Sequence, residues 1–183
     1  STSVSSAPTY SEVFARTVTD IAKKDSKVTA ITAAMPGGTK LSIFKDEIPD
    51  RYFDVGIAEG HAALFASGLA CEGIKPFLAI YSTFMQRAYD MIIHDIALQK
   101  LPVRLCMDRA GLSGDDGPTH HGLFDIGYLR HVPDLVMLQP KDEAEFFSML
   151  HWMAGYDDGP TAIRYPRGNG VNASIPIEPF EIE

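Results

Sequence analysis

The chain has 183 residues, with 16 Lys+Arg against 24 Asp+Glu and a formal net charge of −8, a length that fits one domain with a sizeable core. With 45% hydrophobic and 22% charged residues, the composition excludes disorder as the main state. The acidic balance argues against a general nucleic-acid binder, and no apolar run reaches the ~18 residues of a membrane span.

No charged start followed by an apolar stretch reads as a signal peptide. Cys71 and Cys106 each lie in an apolar segment, so both read as buried free thiols of a reducing compartment. Ser1 to Pro8 is Ser-rich and aperiodic, a flexible linker or tail. Thr9 and Glu12 have capping-box spacing before Val13, Phe14, Val18 and Ile21, which predicts a helix from Tyr10 to Lys24. Val28 to Thr32 is short and β-branched, a strand. Met35-Pro36-Gly37-Gly38-Thr39 breaks it and leads into a short helix.

Arg51 to Val55 is a second strand. Glu59 to Cys71 carries Ala62, Phe65, Ala66 and Leu69 at helical spacing. Pro76 to Ile80 is a third strand, and Thr83 to Gln99 a long helix with Phe84, Ala88, Met91, Ile92 and Ile96 inward. Val103 to Met107 is a fourth strand, followed by a long loop from Asp108 to Leu123. Leu135 to Leu138, a helix over Lys141 to Ala154, and a strand over Thr161 to Tyr165 complete the alternation. Val171 to Glu183, with Pro176 and Pro179, reads as an exit linker. The expected domain is therefore residues 9–170, flanked by linkers as in a longer chain. Short apolar strands alternating with helices imply a parallel α/β sheet of about six strands covered on both faces.

In such sheets ligands bind at the carboxyl ends of the strands. The residues with chemistry gather there: Gly56 to Glu59, Tyr81 to Phe84, Asp108 to His120, and Arg164 to Arg167. The loop from Asp108 to Gly122 is long for one without structure of its own, which marks it as functional. Arg109 can fork onto phosphate or carboxylate oxygens, and His120 can move a proton near neutral pH. Arg164 and Arg167 read either as surface arginines or as an anion clamp converging with Arg109. Glu59 by itself reads as an ordinary acid of a first helical turn, stabilised by the helix dipole, before any functional role. His120 and His121 are adjacent, point apart and lack further ligands at zinc spacing, so no protein-bound metal is expected. His61, His94, His131 and His151 read as packed or surface residues, with His61 the one near a motif.

Four segments occur in one order: Asp54-Val55-Gly56-Ile57-Ala58-Glu59 with His61; Tyr81 to Asp90; Asp108-Arg109-Ala110-Gly111 through Gly117-Pro118-Thr119-His120; and Arg164-Tyr165-Pro166-Arg167-Gly168. Together they resemble the pyrimidine-binding domain of 1-deoxy-D-xylulose-5-phosphate synthases, thiamine diphosphate enzymes of the transketolase superfamily, over Thr9 to Gly170. The resemblance implies a transferase that joins pyruvate to D-glyceraldehyde 3-phosphate with loss of CO2. Its product serves isoprenoid, thiamine and pyridoxal synthesis. It implies that Glu59 hydrogen-bonds the cofactor's aminopyrimidine, relaying acid–base catalysis through the ring, and that Phe84 packs on that ring. It implies substrate roles for Tyr81, Arg109, Asp116, His120 and Arg167: the two arginines on phosphate, His120 also in proton transfer, and Asp116 as an orienting group.

Two positions depart from the family pattern. Gly60 stands where Gln is frequent, and Lys40 stands in the Pro-Gly-Gly-Thr loop where Gly is common. The family's Gly-Asp-Gly motif, which holds magnesium with the diphosphate, is absent; Gly114-Asp115-Asp116-Gly117 is a different sequence. The implied partner is a diphosphate-binding domain or chain, with homodimerisation, in the bacterial cytosol or a plastid. The expectation is that this chain alone does not turn over. The alternatives are a transketolase C-terminal subunit, a 2-oxoacid dehydrogenase beta subunit, and a non-catalytic dimerisation module.

Overall fold

The computed structural model describes residues 7–172. Residues 1–6 of the expected N-terminal linker, and 173–183 of the exit linker with Pro176 and Pro179, lie outside the described residues. Thr9 caps α1 (Tyr10–Lys24) by accepting from the Glu12 N–H at 3.2 Å. The reciprocal half of the capping box does not form, because the Glu12 carboxylate is taken by Arg16 one turn on, at 2.8 Å. Next come β1 (Val28–Thr32), α2 (Ser42–Glu47), β2 (Tyr52–Asp54), α3 (Glu59–Cys71) and β3 (Lys75–Tyr81). Short helices α4 (Ser82–Met85) and α5 (Tyr89–Met91) precede β4 (Arg104–Asp108), α6 (Asp125–Leu129), β5 (Val136–Leu138), α7 (Glu143–Gly155) and β6 (Thr161–Arg164).

The six strands form one parallel sheet in the order β2-β1-β3-β4-β6-β5. Alternate side chains of each strand face opposite layers. Ala30, Phe77, Ala79, Cys106 and Ile163 pack under α1 and α7. Ile31, Leu78, Ile80, Leu105, Met107 and Ala162 pack under α3 and the helical stretch after β3. Both faces are covered, so the strands are largely apolar and carry no polar stripe, with Thr29, Thr32, Arg104, Asp108 and Thr161 as buried polar exceptions.

Three expectations need correction. The stretch over 83–99 is not one regular helix. It runs through α4, a 3₁₀ turn at Gln86–Ala88, α5 and a π-helical segment at Ile92–Ala97. An α-helix drifts about 40° every four residues, and the wider π turn sets that drift back. Ala88, Ile92 and Ile96, four apart, thereby all reach the core with no exposure, while Phe84 and Met91 stay half-buried. Cys71 is exposed; only Cys106 is buried. α3 buries Ala62, Ala63, Ala66, Ser67 and Ala70, and Cys71, one residue past that stripe, turns outward. The loop after β4 is also less bare than expected, with 3₁₀ turns at Gly114–Asp116 and Pro118–His120, and α6 just beyond it.

The chain leaves β1 towards the β2 edge and leaves β3 towards β4. Adjacent strands whose connections depart in opposite directions open a crevice at their carboxyl ends. The loop after β1 and the residues after β3 line that crevice.

Candidate active site

Glu59 is the first residue of α3 and is buried to 3% exposure. Nη1 of Arg87 donates to its Oε1 at 2.8 Å, and Arg87 itself is more than half exposed. The helix N-terminus and this guanidinium both turn positive potential toward its carboxyl group. Asp54, at the end of β2, shapes the approach by accepting from Ala34 N–H at 2.7 Å and Gly56 N–H at 3.0 Å. Gly56 takes φ +73°, a turn that suits glycine.

The Arg87 guanidinium also lies 5.0 Å over the Phe84 ring. Phe84 stacks with Tyr81 at 5.9 Å and meets His120 edge-on at 5.3 Å. His120 Nδ1 pairs with the Thr119 hydroxyl at 2.9 Å. On the far side of Tyr81, the Arg109 guanidinium stacks at 3.9 Å from the ring centroid. Burial pushes the Tyr81 phenol above its ordinary pKa, and Arg109 offsets part of that push. Tyr81 sits against the loop after β1, where a Cβ on Gly38 would fall 1.6 Å from the Tyr81 hydroxyl. Only glycine fits at that close approach.

Arg109 is held in a left-handed conformation, φ +57°. Its Nε donates to Asp116 Oδ2 at 3.0 Å, and its Nη1 reaches Asp108 at 3.2 Å and the Gly38 carbonyl at 3.3 Å. Arg167 joins the same Asp116 oxygen at 3.4 Å and Asp115 at 3.8 Å. The arginines and the glycine loop line a cavity of ≈ 370 Å³ together with Lys40, Thr9, Ser11, Gly168 and Asn169. An antiparallel bridge between Thr9 and Asn169, and Tyr10 N–H donating to the Gly168 carbonyl at 3.0 Å, tie the start of α1 to the chain after β6 there.

The structure thus brings Glu59, Phe84, Tyr81, His120, Arg109, Asp116 and Arg167 into one row, from a buried carboxylate through an aromatic wall to an arginine-lined cavity. Arg164 does not join them. It pairs with buried Asp125 at 2.9 Å and with Gln139 at 2.5 Å, away from Arg109. Of the two arginines expected to converge with Arg109, Arg164 is therefore overturned, and only Arg167 shares a carboxylate, Asp116, with Arg109. His61 stacks on Phe65 at 6.4 Å and lies outside the row. Among the described residues no group of three His, Cys, Asp or Glu side chains could hold a metal ion.

Along the sequence, Asp108, Lys40 and Arg87 have no individual role beyond their motifs, and Ser11 has none at all. Asp108 is fully buried and accepts from the Ser11 hydroxyl at 2.6 Å and from the Arg109 N–H at 2.7 Å. Burial outweighs those bonds and lifts its pKa to about 6. Its signal, an acid closing an apolar strand immediately before an arginine, was present. Ser11, 97 residues away, gave none.

Comparison with known proteins agrees with this fold. Residues 6–171 match the family model for the transketolase pyrimidine-binding domain. Over 178 residues the chain is 60% identical to a 1-deoxy-D-xylulose-5-phosphate synthase of Acidobacterium capsulatum, covering 97% of this chain and 28% of that protein. The synthase of Methylacidiphilum infernorum is 60% identical over 171 residues, covering 93% of this chain and 27% of the relative. The chain thus spans little more than a quarter of these relatives' length. Among solved structures, a split-gene transketolase described as an inactive beta4 tetramer superimposes with TM-score 0.83 at 26% identity, covering 96% of this chain and 57% of that one. A Pichia stipitis transketolase complexed with sedoheptulose 7-phosphate gives TM-score 0.79 at 16% identity, over 91% of this chain and 26% of that one, and shares the fold.

Proposed function

The chain belongs to the transketolase pyrimidine-binding domain family, and on that footing we propose that it is the pyrimidine-binding part of a 1-deoxy-D-xylulose-5-phosphate synthase. The observation that carries this reading is the continuous row from Glu59, past Phe84, Tyr81 and His120, to the Arg109–Arg167 cavity. The substrates are pyruvate and D-glyceraldehyde 3-phosphate; the products are 1-deoxy-D-xylulose 5-phosphate and CO2.

The residues present fit an aminopyrimidine. Glu59 is a buried carboxylate whose exposed partner, Arg87, can swing aside, and the Phe84 ring lies under that same guanidinium. Thiamine diphosphate, when bound, supplies a nucleophilic carbon for breaking and making bonds next to a carbonyl. Glu59 orients the pyrimidine and holds a proton at its ring nitrogen, while Phe84 packs on the ring and keeps water from it. His120, edge-on to Phe84, faces the space where the acceptor aldehyde sits, and there hydrogen-bonds or moves a proton. Arg109 and Arg167 bind the acceptor's phosphate as forked donors, with Asp116 between them fixing both forks. Tyr81 carries Arg109 on its face. Magnesium and the diphosphate belong to a second domain or chain. Ile57, Leu112, Leu123 and Phe124, all more than half exposed, give that partner apolar surface to cover. A homodimer in the bacterial cytosol or a plastid completes the reading.

The test combines this chain with a diphosphate-binding partner, thiamine diphosphate and magnesium, and measures sugar phosphate made from pyruvate and glyceraldehyde 3-phosphate. Product is expected only from the combination, and Glu59→Gln lowers the rate by roughly 10²–10⁴-fold. Turnover of a ketose donor in place of pyruvate would redirect the reading to a transketolase. Product from the chain alone would overturn the need for a partner.

A further inference from the structure

The two arginines of the cavity do not by themselves leave it cationic. Arg109 shares its charge with Asp108 and Asp116, and Arg167 with Asp116 and Asp115. The remaining cation lining the cavity is Lys40, and no carboxylate pairs with it among the described residues. Its backbone is in the left-handed region, φ +59°, a conformation that suits glycine and is strained for a lysine. The turn is fixed by its own bonds: Lys40 N–H donates to the Gly37 carbonyl and Thr39 N–H to the Met35 carbonyl. A charged side chain kept in a glycine conformation at the mouth of a binding cavity is strain placed where it has a use.

We propose that Lys40 is a third anion-binding group of this cavity, which sets its preference for a dianionic phosphomonoester over neutral or singly charged ligands. The inference rests on the reading of the cavity as the acceptor's phosphate site, and it names a binding residue that this reading did not require. The arginine forks, held by their carboxylates, supply direction. Lys40, a flexible point charge without a carboxylate partner, supplies the cation that no acid of the cavity already pairs with, and follows the second negative charge of the phosphate. Thr9, the N-cap of α1, and Ser11, in its first turn, place the positive end of that helix at the same cavity.

The test titrates the full chain with sn-glycerol 3-phosphate, inorganic phosphate and glycerol at constant ionic strength, and follows binding by NMR shifts or calorimetry. Lys40→Gly removes the charge and relieves the strain. It is therefore expected to raise the unfolding temperature while weakening both phosphate ligands by roughly five- to twentyfold. Lys40→Gln loses affinity equally without gaining stability. Lys40→Arg retains affinity within about twofold. Phosphate affinity unchanged in both Lys40→Gly and Lys40→Gln would overturn the proposal, as would a wild-type chain that binds glycerol 3-phosphate no better than glycerol. The synthase reading fails separately. If the combination with a diphosphate-binding partner makes no sugar phosphate while phosphate binding still depends on Lys40, Lys40 keeps its role and the reaction assignment falls.

Discussion

Replacing Asp108 with Asn should abolish a pH dependence of stability that the native fold builds into this one carboxylate. Asp108 closes β4 with no exposure, between the Ser11 hydroxyl and the Arg109 main chain and guanidinium. Its pKa is lifted to about 6 by burial, against the favourable pull of Arg109. An unfolded aspartate titrates near 3.9, so the difference of about two units corresponds to about 3 kcal/mol. The sign follows from the direction of the lift. Stability from the protonated group is fully present below pH ~4 and is lost as pH rises through about 6. The amide of the Asp108→Asn variant stays neutral throughout, so the stability of the wild type relative to the variant should fall by up to about 3 kcal/mol between pH ~4 and ~7.5. With a urea m-value of about 2 kcal/mol/M, the gap between the two midpoints moves by about 1.5 M. The other carboxylates and the histidines titrate in both chains and cancel in the comparison. Any fixed penalty for placing an amide beside Ser11 shifts one curve without tilting it. Parallel curves for the two chains across this range would refute the reasoning.

Two further expectations concern groups outside the cavity. Under native conditions one thiol equivalent, Cys71, should react with iodoacetamide; Cys106, whose burial pushes its thiol far above the ordinary range, should react only after unfolding, and mass mapping of the labelled peptides decides it. A Cβ on Gly122 would stand 2.5 Å from Ser82 and 2.6 Å from the Arg109 carbonyl. Gly122→Ala should therefore lose roughly 1–3 kcal/mol in urea unfolding and also weaken phosphate binding, because Gly122 and Gly111 exchange main-chain hydrogen bonds of 2.8 Å beside Arg109; unchanged stability would show that the loop shifts freely.

Much of this architecture was legible from local chemistry. A β-branched run such as Val28–Thr32 has few alternatives to a strand, Thr9 caps α1 through its own hydroxyl, and the alanine-rich stretch Glu59–Cys71 is helical from end to end. The alternation of such segments was enough to imply a parallel sheet, and that in turn placed every motif at the carboxyl ends of strands. Tertiary contacts decided the rest, because they pit local preference against packing. The stretch after Tyr81 winds through 3₁₀ and π turns so that Ala88, Ile92 and Ile96 all reach one core. α6, only five residues long with Gly127 at its centre, has little propensity of its own and forms where Leu129 and Asp125 find buried places. Arg164 and Arg167 look alike along the chain, yet one is drawn to the buried carboxylate of Asp125 and the other to Asp116. The balance of charge in the cavity, which gives Lys40 its place, depends on which carboxylates the fold brings to which arginines. The order of residues along the chain carries that information only after folding, because Coulomb and hydrogen-bond energies depend on distances that the sheet and its folded loops set together.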